Sequence, residues 1–177
     1  MAYSKRDAIR IVSSAAKEYQ KNQRDIFLIQ ARLFRLLQVG YDLAAEQCEE
    51  LFRKFDLYEY IKDCYEEYHV QGDEANLSDV EEYLLRKGWK NQCRTARISP
   101  YEYSMQVLAI MAAEIIAKTR KISKQKAYSR FMVSKTGEML FDESTDLWMN
   151  GPDYIVDEYK REMKNRRQIR KSIVRGL

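Results

Sequence analysis

Sliding this chain by 79 positions lays residues 29–72 over residues 108–151 without a gap. In that register Leu36 and Leu37 fall on Ile115 and Ile116, Leu43 on Ile122, Cys48 on Ala127, Phe52 on Phe131, and Ile61 on Leu140. Gly72 meets Gly151 and His69 meets Trp148. Most pairs exchange one apolar side chain for another at helical spacing, as expected when two stretches fold alike around similar small cores. The shared glycine after a long gapless run is the strongest sign that the register is real.

The residues that fill this pattern are helix formers. Only 6 glycines and 2 prolines interrupt 177 residues, and 45% of the chain is apolar, including 13 tyrosines and 6 phenylalanines. That composition excludes a disordered chain and favours a helical one with a substantial core. No run approaches a membrane span, because Glu114 breaks the longest apolar stretch, residues 107–116. The start, Met1-Ala2-Tyr3-Ser4-Lys5-Arg6, leads into an amphipathic segment rather than a secretory core, so a soluble cytoplasmic protein is expected. Cys48, Cys64 and Cys93 lack CxxC spacing and read as reduced, inert thiols.

Punctuation divides the helices. Ser4-Lys5-Arg6-Asp7 resembles a capping box, followed by Ile9, Val12, Ala16 and Tyr19 on one face. A restart at Asn22 or Asp25 leads through Ile26, Ile29, Leu33, Leu36 and Leu37 to Gly40. Asp42 is expected to cap a helix with Ala45, Cys48, Leu51, Phe52 and Phe55 inward, and Asp56 one with Tyr60, Ile61, Cys64 and Tyr68 inward. After the break at His69–Asp73, Asn76 is expected to cap a short helix holding Val80, Leu84 and Leu85, stopped by Gly88. Ser99-Pro100-Tyr101-Glu102 reads as the best cap, with Glu102 reaching back; the helix it opens should bury Val107, Leu108, Met111, Ile115 and Ile116. Ser123 caps the next, with Ala127, Phe131 and Met132. Lys135-Thr136-Gly137 reads as a turn before a short apolar helix of Met139, Leu140 and Phe141. A polar loop spans residues 142–146, Leu147 and Trp148 follow, and Asn150-Gly151-Pro152 breaks the chain again. A last helix carries Ile155, Tyr159 and Met163, with Ile169 and Ile173 on its continuation.

The expected architecture is therefore an all-α, compact helical bundle built from two related three- or four-helix repeats. Its parts are an N-terminal helix (1–24), an acidic first repeat (25–88), a linker (89–99), a second repeat (100–165) and a basic tail (166–177).

The net charge of +4 conceals segregation. Residues 42–82 carry 14 Asp/Glu against 3 Lys/Arg, residues 117–135 carry 7 Lys/Arg and no acid, and residues 160–177 carry 8 Lys/Arg against 1 Glu. Such blocks either attract each other, within one molecule or a homodimer, or steer a partner.

Conventional catalytic signatures are missing. His69 is the only histidine, which excludes a His-based metal cluster within one chain and reads as a helix-end residue satisfying a backbone group. Adjacent carboxylates such as Glu66 and Glu67 diverge by about 100° on a helix, so they make no dyad. There is no phosphate loop, nucleophile elbow or dinucleotide fingerprint. No catalytic residue, metal site or cofactor is assigned, and a non-enzymatic role is expected.

Tyr65-Glu66-Glu67-Tyr68-His69-Val70-Gln71-Gly72 resembles the signature of a family of short uncharacterised helical bacterial proteins: an apolar residue, His, any residue, Gln, Gly. Phe52-Arg53-Lys54-Phe55 before it and Asp79-Val80-Glu81-Glu82-Tyr83 after it resemble the family's flanking helices, although Val70 stands where the family usually has Thr. The second half resembles a sister family through Lys135-Thr136, residues 142–148 and Tyr154-Ile155-Val156-Asp157. Such domains tend to be encoded beside ADP-ribosyltransferase-like toxins, so the resemblance implies an antitoxin-like inhibitor or accessory role.

Two binding surfaces follow as expectations. A protein partner, such as a toxin-like enzyme, would meet an acidic face of Glu49, Asp56, Glu59, Asp63, Glu66 and Glu67, with Tyr58 and Tyr65 as anchors. Tyr60 and Tyr68 are assigned to the core. The alternative is nucleic-acid binding by the basic tail through Arg166, Arg167, Arg170, Lys171 and Arg175. A membrane-surface role is disfavoured by the narrow apolar stripe of that tail.

Overall fold

Thirty-six residues without a helix breaker make the longest element: α1, Lys5–Gly40, is one continuous helix about 54 Å long. The expected restart at Asn22 or Asp25 does not occur, because neither side chain finds a terminus to cap and the apolar periodicity carries straight through. The computed structural model describes residues 5–90 and 99–175, without the side chains of 5–13, 15 and 173–175. The capping box at Ser4, the inward face at Ile9 and Val12, the linker at 91–98 with Cys93, and the side chains of Ile173 and Arg175 lie outside the described residues. Ala16 and Tyr19, expected on an inward face, are exposed.

After α1 come α2 (Ala45–Lys54), α3 (Leu57–Asp63), α4 (Tyr65–Tyr68) and α5 (Asp73–Arg86). The second half contains α6 (Glu102–Arg120), α7 (Lys124–Met132), α8 (Lys135–Leu140), two 3₁₀ turns (Glu143–Thr145 and Leu147–Met149) and α9 (Pro152–Arg175). No strand occurs among the described residues. The fold is all-α and compact. α1 packs against α2, α3 and α5 on one side and α6 and α7 on the other, while α6 also packs against α7, α8 and α9. A single apolar cluster runs through both halves, including Phe34, Phe52, Tyr128, Phe131 and Tyr159.

Several positions 79 residues apart share local features. Asp42 and Lys121 both turn left-handed, with φ 51° and 52°. Ala44 and Ser123 are the N-caps of α2 and α7, and α5 and α9 begin one residue after Gly72 and Gly151. Burial follows: Leu33 and Ala112, Leu37 and Ile116, Cys48 and Ala127, Phe52 and Phe131, Ile61 and Leu140, and Val80 and Tyr159 are all buried.

Caps account for most departures from the sequence reading. Asp42 sits in the left-handed turn, and Ala44 caps α2, its N–H donating to Gln47 Oε1 at 2.8 Å. Asp56 is the N-cap of α3 by position, but it is left-handed and its side chain caps nothing. Asn76 lies inside α5, buried, with Nδ2 donating to the Tyr68 carbonyl at 3.0 Å. Gly88 ends α5 as expected, at φ 85°, with its N–H on Leu85 O and that of Trp89 on Leu84 O, a Schellman ending. Leu85, expected inside, is 50% exposed.

Lys135-Thr136-Gly137 is the first turn of α8 rather than a loop. Gly137 N donates to Ser134 Oγ at 3.0 Å, while the Lys135 and Thr136 amides both donate to the Glu162 carboxylate of α9 at 3.0 Å. α6 also buries a different face from the one expected. Met105, Ala109, Ile110, Ala112, Ala113, Ile116 and Ala117 are inside, whereas Val107 and Met111 are exposed.

Candidate functional site

The best-ordered polar constellation lies where the halves meet. Arg35 on α1 donates Nε to Glu102 Oε1 at 2.6 Å and Nη2 to Oε2 at 3.0 Å, a bidentate pair with both side chains largely buried. Gln38 accepts from Arg35 Nη1 at 3.0 Å, Gln106 donates to Glu102 at 3.2 Å, and the guanidinium lies 3.8 Å from the Phe141 ring centroid. The expected backward reach of Glu102 to its own cap does not happen, because its carboxylate is committed to Arg35. Ser99 Oγ instead accepts from the Tyr101 amide at 3.1 Å. At the other end of the α1–α6 crossing, Glu114 meets Lys124 at 2.7 Å and Arg24 at 3.6 Å. Each such group is satisfied by its partner, so this constellation joins the halves rather than awaiting a substrate. A hollow of about 460 Å³ opens beside it, walled by Gln38, Glu46, Lys135 and Glu138.

The expected acidic face divides in two. Glu49 and Tyr58 pair with each other, the phenol donating at 3.3 Å, and burial pushes the Tyr58 hydroxyl well above its ordinary range. These two belong to the packing between α2 and α3, which removes them from a free docking surface. Glu59 is bridged to Lys62 at 2.6 Å on α3. Asp56, Asp63, Glu66 and Glu67 are exposed along α3 and α4, and their side chains take part in no hydrogen bond or salt bridge among the described residues. Tyr65 is half-buried, its hydroxyl 3.5 Å from Asn22 Oδ1 and its ring stacked on His69 at 4.9 Å. His69 Nδ1 lies 2.7 Å from the Tyr65 carbonyl, the backbone partner expected of a helix-end histidine. Tyr68 is buried, and Tyr60 is half-buried against Tyr83, with rings stacked at 3.8 Å.

Neither described thiol is set up as a nucleophile. Cys48 is fully buried and donates to the Phe34 carbonyl at 3.3 Å, and burial raises its thiol. Burial likewise raises the Cys64 thiol, against the direction that activation requires. Among the described residues no group of three His, Cys, Asp or Glu side chains could hold a metal ion.

On α9, Arg166 is turned to Glu162 at 2.9 Å, while Arg167, Arg170 and Lys171 are exposed. Three neighbours matter for these cations: Lys160 and Lys164 on α9, which precede the tail, and Arg120 on α6, which lies 46 residues before the tail begins. Arg35 and Glu102 were missed as a pair. The available signal was a lone arginine set among Leu33, Phe34, Leu36 and Leu37.

These features define an all-helical protein whose polar surfaces are segregated by sign. Residues 30–87, from the middle of α1 to the end of α5, match a family described as a protein of unknown function (DUF3791). The matched segment contains His69-Val70-Gln71-Gly72. No curated protein and no solved structure matches the chain.

Proposed function

We propose that this chain is a non-catalytic binding protein that docks a partner protein on the α3–α4 end, in the manner of an antitoxin inhibiting an enzyme. The observation that carries the reading is the set of exposed carboxylates of Asp56, Asp63, Glu66 and Glu67, none of them in a salt bridge among the described residues, although the charge of Asp63 is felt by Lys62. A protein that needed these charges for its own fold would pair them, as it pairs Glu102 with Arg35. Exposed and unbridged, they steer a basic groove towards this end, with Tyr65 and Val70 supplying contact area beside them. Val70 is 74% exposed, an apolar residue with no packing role here. No helix of the described residues is long and apolar enough to cross a membrane, and a bacterial cytoplasm suits this role. The resemblance of the two halves makes the chain a tandem of one unit, in which the first half keeps the docking end.

The test is capture with the full-length tagged chain from nuclease-treated native lysate, beside a variant carrying Asp63→Lys and Glu66→Lys. A stoichiometric protein held by the natural chain and lost by the reversed one, at equal helicity, supports the reading. Equal retention by both sinks it.

A further inference from the structure

The 79-residue register identifies a place that the first half fills and the second half leaves open. In the first half Tyr41 Oη donates to Glu81 Oε1 at 2.8 Å, and the Trp89 indole packs on the Tyr41 ring with centroids 4.9 Å apart. Trp89 reaches that position because Gly88 turns the chain back at the end of α5. In the second half the corresponding residues are Arg120, Lys160 and Gln168, and Arg167 stands in place of Gly88. With no left-handed residue there, α9 runs on to Arg175, and none of the described residues folds back over the site as Trp89 does in the first half. The result is a hollow of about 440 Å³ between the end of α6 and α9, walled by Arg120, Lys160, Lys164, Arg167 and Lys171.

Among the described residues Arg120, Lys164, Arg167 and Lys171 form no ion pair, and only Lys160 is held by a carboxylate, Asp157 at 2.8 Å. One or two cations at the end of α6 would suffice to complement its dipole. Five around one hollow exceed that need. Lys160, Lys164, Arg167 and Lys171 recur every three or four residues, so they share one face of α9 at steps of about 5 Å. A periodic row of cations fits a periodic row of anions. Met163 is the one apolar side chain in the wall, too little for a membrane-seated helix or for the aromatic or apolar centre of a protein interface.

We propose that this hollow is a phosphate-binding groove that takes the sugar-phosphate backbone of a nucleic acid without reading its bases. Gln168, in the place of Trp89, supplies an uncharged amide donor beside the cations. No residue of α3 or α4 lines the groove, so it holds or fails independently of the protein-docking reading.

The test is fluorescence anisotropy of the full chain with a labelled oligonucleotide, single-stranded and duplex, over a range of salt. Lys164→Gln with Lys171→Gln is compared with Arg53→Gln and Arg130→Gln, an equal loss of charge from exposed arginines on α2 and α7. Glutamine keeps the helix propensity of lysine and arginine. The groove pair is expected to weaken binding about tenfold and to flatten the log–log salt slope by roughly 0.7–0.9 per cation removed. The control pair should stay within about twofold, since its charges add only to the general field. Equal weakening by the two pairs, absence of binding at low salt, or displacement by poly-glutamate as readily as by unlabelled oligonucleotide would each overturn the groove.

Discussion

Arg35 and Glu102 face each other through two parallel hydrogen bonds, 2.6 and 3.0 Å long, across the junction of the first and second halves of the chain. Burying both charges is tolerable only because the guanidinium and the carboxylate each find further partners in Gln38 and Gln106.

Breaking that pair from one side should therefore cost more than replacing it. Glu102→Leu is expected to lower unfolding free energy by about 3 kcal/mol, because it leaves a guanidinium buried without its counter-charge. Arg35→Met combined with Glu102→Leu should recover a large part of the loss. Urea unfolding of the two singles and the double closes the cycle; strictly additive losses would show that the two side chains do not act as a unit.

Gly137 sits where a β-carbon would collide with the carbonyl of Phe131. Backbone cannot yield as a flexible side chain does, so Gly137→Ala should destabilise by about 2 kcal/mol and lower Tm by several degrees. Gly72→Ala meets no atom within 4 Å and should change Tm far less. Thermal unfolding of the two variants side by side decides it.

Glu162 gives a pH signature. Partial burial alone would raise its carboxyl, yet hydrogen bonds from Thr136 and Lys135 and the charge of Arg166 hold it below the ordinary value of 4.5. A depressed folded-state pKa contributes stability that is complete above the unfolded value and is lost as pH falls through the folded one. Acid unfolding of the natural chain should thus steepen below about pH 4.5, and Glu162→Gln should flatten that part of the curve. Coincident slopes for the two proteins would remove Glu162 from the account.

Thiol accessibility checks the packing. In a Cys93→Ser background, Cys48 should resist a thiol reagent until the protein unfolds, since it is fully buried, with a raised pKa. Cys64, half-buried, should react in the native state, more slowly than a free thiol. Rapid modification of Cys48 would contradict its position between α1 and α2.

Much of this fold was legible in the sequence because large apolar residues recur at helical spacing. Leu33, Leu37, Phe52, Ile61, Phe131 and Tyr159 are all in the core they suggested. α6 was misphased for the opposite reason: its inward face is built on Ala109, Ala112, Ala113 and Ala117, and alanine is silent in a pattern read from bulk. Caps misled where a polar residue had a stronger distant partner, as Glu102 did in Arg35 and Asn76 in the Tyr68 carbonyl. The acidic surface was visible as composition, but the engagement of Glu49 by Tyr58 depends on how α2 meets α3. The basic groove could not be read from the tail alone, because its far wall is Arg120 and its openness depends on Gln168 standing where the first half has Trp89.

Helix α8 has only 6 residues, and two of its first three amide groups are satisfied by a carboxylate 26 or 27 positions further along the chain. So short a segment does not repay the cost of nucleating a helix from its own contacts. α8 must therefore consolidate after α9 has docked, a late event in folding. The same dependence couples their opening in the native state, so a disturbance that lifts α9 would also release the segment that carries Gly137 and Leu140.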